Sequence, residues 1–133
     1  MSRLNIENIR REAEAFDRRD KAAWLDTFAP DAVMVPAPEW PESDPIRGAE
    51  AIWDFYVEVT AAWDDRPTEL GELLDIGEDL VVANTKRDAR GKASGAAAPF
   101  NYWTVNTFRA GKKVRIEWFS ARTAALEAPA LQQ

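Results

Sequence analysis

Histidine and cysteine are both absent from this chain of 133 residues. Without cysteine there are no disulfides, no thiolate nucleophile and no sulfur-ligated metal, which suits a reducing compartment. Without histidine, His-based triads and His-ligated zinc sites are excluded, and proton transfer falls to Asp, Glu, Tyr, Lys or water. Phenols are scarce too, Tyr56 and Tyr102 being the two tyrosines. No apolar run approaches the roughly 18 residues of a membrane helix, and the opening stretch MSRLNIENIRREAEAF has no apolar h-region. We therefore expect no membrane span, no signal peptide and a cytoplasmic protein. Carboxylates are plentiful but show no EF-hand or His-carboxylate spacing, so neither a metal nor another cofactor is expected. The basic residues are scattered in a chain of net charge −6, which argues against a nucleic-acid partner.

What is present is a globular composition. Hydrophobic residues make up 46% and charged residues 30%, with six Trp and six Phe. Residues 1–133 suffice for a single domain with its own core, and an aromatic load of this size suits a lined cavity.

Ile6, Ile9, Ala13 and Phe16 recur at helical spacing among Arg and Glu, predicting a first helix over about residues 5 to 17. Asp20 is placed to cap a short second helix whose apolar face comprises Trp24, Leu25 and Phe28, ended by Ala29-Pro30-Asp31. AVMVPA predicts a strand stopped by Pro36, and the proline-rich PAPEWPESDPIRG around Trp40 predicts a loop. From Gly48, the residues Ala49, Ile52, Trp53 and Tyr56 predict a third helix reaching about Trp63. Asp64-Asp65 reads as a turn without chemistry.

Beyond Pro67 the period switches to two. TELGELLDI, LVVANTKRD, FNYWTVNTFR and GKKVRIEWFSA predict successive strands, the last two joined at Ala110-Gly111-Lys112. The closing SARTAALEAPAL predicts a helical turn or a tail. Three helices followed by a meander define an α+β domain, with the helices covering the concave face of a curved, mostly antiparallel sheet and a pocket between the layers.

The stretches FDRRDKAAWLDTFAPDAVMV, IRGAEAIWDFY and NTFRAGKKVRIEWFSA resemble, in order and spacing, the SnoaL-like or nuclear-transport-factor-2-like superfamily. The resemblance spans nearly the whole chain and implies a cone-shaped α+β fold. It implies no single chemistry, because this fold hosts cyclases, isomerases, epoxide hydrolases, dehydratases and plain binding modules. Ketosteroid-isomerase-like members carry a base just after the first strand, an oxyanion-binding Tyr on the first helix and an Asp on the penultimate strand. Here those places fall at Pro36, near Glu12 and near Asn106. SnoaL-like cyclases pair an Asp with a His, which this chain lacks. Limonene-epoxide-hydrolase-like members carry an Arg and an Asp on the middle strand, where Thr85 and Arg87 stand, and an Asp on the last strand, which maps onto Glu117.

Glu117 therefore has two readings. Hydrophobic alternation turns Val114, Ile116 and Trp118 to the core and Glu117 to solvent. The resemblance implies the reverse: Arg115, Glu117 and Phe119 face a pocket, and Val114, Ile116 and Trp118 form a homodimer surface. On the second reading Glu117 is the proton carrier, Arg87 tunes it and Asn106 orients the substrate, while Tyr102, Trp53, Tyr56, Trp24, Phe28, Phe119, Arg115 and Trp40 contact it, Trp40 as a lid.

The expected partner is an apolar or aromatic small molecule. Two functions remain open: cofactor-free acid-base catalysis, or a non-catalytic binding or dimerisation module in which Glu117 and Arg87 are a structural ion pair.

Overall fold

The computed structural model describes residues 2–63 and 67–132. Helices α1 (Ser2–Asp17), α2 (Lys21–Leu25) and α3 (Ala49–Thr60) are interleaved with strands β1 (Phe28–Val35) and β2 (Ile46–Arg47). Strands β3 (Glu69–Asp75), β4 (Leu80–Arg90), β5 (Ala97–Arg109) and β6 (Lys112–Phe119) follow, then a short α4 (Arg122–Leu126) and a 3-10 turn at Pro129–Gln132. The turn expected at Asp64-Asp65 lies outside the described residues. Among the described residues no helix is long and apolar enough to cross a membrane.

Local chemistry explains the helix boundaries. The Asp20 carboxylate accepts from the Ala23 amide at 3.2 Å, capping α2 as its sequence predicts. That helix stops sooner than the apolar spacing suggested. The Thr27 hydroxyl donates back to the Trp24 carbonyl at 2.7 Å, a local bond that competes with helix propagation. Phe28 therefore begins β1, still stacked on Trp24 with ring centroids 4.2 Å apart. At the start of α3, Gly48 takes φ +99°, a conformation strained for any residue with a Cβ, while its amide donates to the Ala32 carbonyl at 2.7 Å.

The six strands form one sheet in the order β2-β1-β6-β5-β4-β3. Strands β3 to β6 are the predicted meander, whereas β1 runs parallel to β6. The β5–β6 hairpin turns through Ala110 (φ 53°) and Gly111 (φ 79°), a pair of positive φ values that matches the strand twist. Just beyond it, Thr107 faces Arg115 while Phe108 faces Lys113, so Val114 is an extra, bulged residue.

The two sheet faces have different covers. On the inner face, Met34, Ile116 and Trp118 join Phe16, Trp24, Ile52, Trp53 and Tyr56 in one buried cluster under α1 and α3. On the outer face, Val82 and Val105 pack with Ala125 and Ala128, and with Trp103 and Phe119 at the margin. This overturns the expected dimer surface. Ile116 is 2% and Trp118 8% exposed, both inside the subunit core, so hydrophobic alternation is right for these two residues, while Glu117, turned to the outer face, is not in open solvent: its side chain is 12% exposed and its Oε2 is buried without a partner.

Candidate functional site

Between the helices and the inner face of the sheet lies a cavity of about 110 Å³. Helix α1 contributes Ile9, Glu12, Ala13 and Phe16, and α3 contributes Phe55, Tyr56, Val59 and Thr60. The sheet contributes Arg87, Thr104, Asn106, Lys113, Ile116 and Trp118 among others, and Trp40 reaches in from the proline-rich loop. The exposed member of this lining is Val59, with Trp63, Thr68, Leu70 and Phe100 half-buried around it, so the opening lies at the C-terminal end of α3. Thr104, Asn106, Lys113 and Ile116 are buried and form the deep end.

The walls are aromatic. Trp118 meets Tyr56, Trp40 and Phe100 with ring centroids 5.9, 5.5 and 5.8 Å apart. Its indole N–H donates to the Tyr56 hydroxyl at 2.9 Å, satisfying a buried donor. The Tyr56 phenol is held well above 10.0, first by burial and then by the charge of Glu12, with the Trp118 hydrogen bond acting the other way. It remains a neutral hydroxyl across the physiological range.

Charged and amide side chains interrupt this apolar lining at three places. The first is an ion pair between Glu12 and Lys113, whose side chains are 14% and 1% exposed, with the ammonium 5.1 Å from the Phe28 ring centroid. Lys113 reaches the cavity because the Val114 bulge resets the alternation, placing Lys113 opposite inward-facing Phe108. The second is Arg87, buried and paired with Asp17 at 3.1 Å, donating also to the Thr68 hydroxyl at 2.7 Å. The third is Asn106, 1% exposed. Its Nδ2 donates to the Val81 carbonyl at 3.2 Å and to the Thr104 hydroxyl at 2.9 Å, while its Oδ1 is buried with no hydrogen-bond partner.

Of the residues singled out in the sequence, Arg87, Asn106, Tyr56 and Trp40 line this cavity. Glu117 does not. It stands opposite Val105 and Val35 on the outer face, and its Oε1 accepts from Arg115 Nη2 at 3.2 Å. A strand with Ile116 and Trp118 turned inward has residues 115 and 117 turned outward, because successive side chains alternate. The same parity removes Arg115 and Phe119 from the pocket, Phe119 packing beside the cluster under α4. Arg87, on the inner face, is partnered by Asp17 and not by Glu117, so the expected Glu117–Arg87 pair does not form. Trp24, Phe28 and Trp53 are buried core residues that do not line the cavity but pack behind its wall, against Tyr56, Lys113 and Phe16 respectively. Tyr102 is half-buried beside it, 4.6 Å from Phe100 and 5.3 Å from Trp40 by ring centroids.

Two lining residues of chemical interest were given no role in the sequence reading: Glu12, met only as standing near the place of the isomerases' oxyanion-binding Tyr, and Lys113. Glu12 was legible as the polar neighbour of Ile9, Ala13 and Phe16 on one helix face. Lys113 was hidden by the bulge, which no alternation pattern reveals.

A helix-covered, curved sheet enclosing an aromatic cavity with a polar deep end defines a small pocketed α+β protein. The chain belongs to the SnoaL-like domain family, whose model matches residues 9–116. Over 78 residues it is 36% identical to a protein of Aspergillus oryzae named probable beta-glucosidase H, a match covering 56% of this chain and 9% of that much longer protein. TerC, solved with polyporic acid, is similar in structure with a TM-score of 0.74, at 23% identity over 94% of this chain and 99% of its own. A Mycobacterium tuberculosis protein solved with estradiol-17beta-hemisuccinate has a TM-score of 0.74, at 16% identity over 90% of this chain and 95% of its own. At these identities the structural likeness concerns the fold.

Proposed function

We propose that this protein binds one apolar, aromatic small molecule in the cavity between α1, α3 and the inner face of the sheet. The observation that carries the reading is the cavity itself, an aromatic-walled space of about 110 Å³ with buried polar groups at its closed end. An empty apolar space of this order accommodates a ring system, and a few convergent polar groups fix its orientation. The TerC and M. tuberculosis structures, each solved with an organic ligand, add support from the same fold. The test is titration with 2-naphthol followed by amide chemical shifts, together with Ala13→Phe, which fills the space from α1. Binding weaker than millimolar, or binding unaffected by Ala13→Phe, would refute the proposal.

One observation favours a second reading, in which the bound molecule is also turned over by acid-base chemistry. Glu12 is the carboxylate in the lining, set against apolar walls with the Lys113 ammonium beside it. It replaces Glu117 as candidate proton carrier, and Arg87 and Asn106 keep supporting places as positioning groups. The probe is 2-tetralone, a two-ring ketone whose α-protons exchange with deuterium once a base removes them. Accelerated exchange that disappears in Glu12→Gln is the expected result. Exchange at the buffer rate would leave a binding protein without this activity.

A further inference from the structure

Asn106 sits at the closed end of the cavity, 1% exposed, on the strand β5 face that also carries Thr104. A primary amide has two N–H donors and one carbonyl oxygen. Both donors are spent, one on the Val81 carbonyl at 3.2 Å and one on the Thr104 hydroxyl at 2.9 Å. Thr104 in turn donates to the Ala83 carbonyl at 3.5 Å, which leaves its lone pairs toward the amide and fixes which way Asn106 faces. The oxygen is left as a buried acceptor without a partner, on a residue that lines the cavity.

Resting on the proposed binding role, we infer that the deep end of the cavity selects molecules carrying a hydrogen-bond donor, a phenolic or enolic hydroxyl, which Asn106 Oδ1 accepts. A ligand ending in an ether or halogen presents no donor there. It would bury the amide oxygen permanently unpaired, and a site built to bond a hydroxyl rejects analogues lacking it far more strongly than an apolar pocket discriminates by size. The opposite end of the ligand is constrained differently. Phe55, Val59, Trp63 and Phe100 lie toward the opening, so the apolar ring edge points outward. Tyr56 complements this acceptor. Its hydroxyl already accepts from Trp118, and its own proton has no acceptor among the described residues, so it can donate to a ligand oxygen. A hydroxyl group can act in either sense, donating to Asn106 or accepting from Tyr56.

The test compares 2-naphthol with 2-fluoronaphthalene, which has the same rings and nearly the same shape but no donor. The intact protein should bind 2-naphthol roughly 10- to 100-fold more tightly, and Asn106→Leu should bring the two within about threefold of each other. Should Asn106→Leu fail to fold, the side-chain amide resonances of Asn106 in the unmodified protein serve instead. They should move with 2-naphthol and stay in place with 2-fluoronaphthalene. Equal affinities in the unmodified protein, or a hydroxyl preference that survives in Asn106→Leu, would overturn the inference while leaving the binding role intact. Failure of both compounds to bind would overturn the binding role and the inference with it.

Discussion

Replacing Lys113 with Met should cost this protein more than any change of charge on its surface. The Lys113 side chain is 1% exposed and Glu12, its partner, 14%. Removing one member of a buried pair leaves the other as an uncompensated charge, a loss of about 3–5 kcal/mol. Glu12 retains a small contact with solvent, which places the expected loss near the lower end, about 3 kcal/mol. For a chain of 133 residues, where 1 kcal/mol corresponds to roughly 3–5 °C in Tm, the loss is about 10–15 °C. The double variant Glu12→Leu/Lys113→Met removes both charges and restores apolar packing, so it should lie within about 1–2 kcal/mol of the parent. Urea unfolding followed by tryptophan fluorescence, completed as a double-mutant cycle with Glu12→Leu, measures the coupling. A single-variant loss below about 1 kcal/mol, or a double variant as unstable as the two singles summed, would refute the claim that these charges are buried against each other.

Substitutions at three other positions, two in the cavity wall and one in the sheet, extend the test. Trp118→Phe removes the indole donor to Tyr56 and should cost about 1–2 kcal/mol, whereas Trp118→Arg should fail to fold in soluble form, read by circular dichroism, because the residue belongs to the core. The Tyr56 phenol keeps its proton in the fold at a pH where the unfolded chain releases it near 10.0, so the stability it contributes is complete below that value and declines as pH rises beyond it. Tyr56→Phe should show a shallower loss of stability between about pH 10 and 11.5 in denaturant titrations; an identical slope would contradict the assignment. A Cβ on Gly71 would come within 2.3 Å of Asn84 Oδ1, whose amide is pinned by donating to Asn101 Oδ1 and the Tyr102 carbonyl. Gly71→Ala should therefore cost about 1–3 kcal/mol in chemical denaturation, and Gly71→Ala/Asn84→Ala less than the two singles summed.

The order of helices and strands was legible from periodicity, because burial on one side imposes period 3.6 on helices and period 2 on strands, except for the two-residue β2 at Ile46–Arg47, which lies in the stretch read as a loop and owes its pairing to β1. So were the cap at Asp20, the Ala110-Gly111 turn and the inward face of β6, where Ile116 and Trp118 alternate with charged residues. The family resemblance pointed correctly to the fold. It misdirected the last strand by setting Glu117 against the family's acid, and the hydrophobic alternation that contradicted this match was the sounder guide to Ile116 and Trp118. Arg87, Asn106, Tyr56 and Trp40 were also picked out from sequence and do line the cavity.

The sequence by itself determined the α+β class, the aromatic core and the absence of histidine and cysteine chemistry, since these depend on residue type and local period. Only the tertiary structure decided that β1 lies parallel to β6, that the Val114 bulge brings Lys113 to Glu12, and that Arg87 meets Asp17. It also decided that Asn106, a residue of the cavity lining, spends both amide protons on its neighbours and leaves its oxygen buried without a partner. These are contacts between residues from 2 to 101 positions apart, and they depend on strand register and partner choice. A one-residue shift in register changes the face on which a side chain lies, and with it the chemistry the cavity can offer.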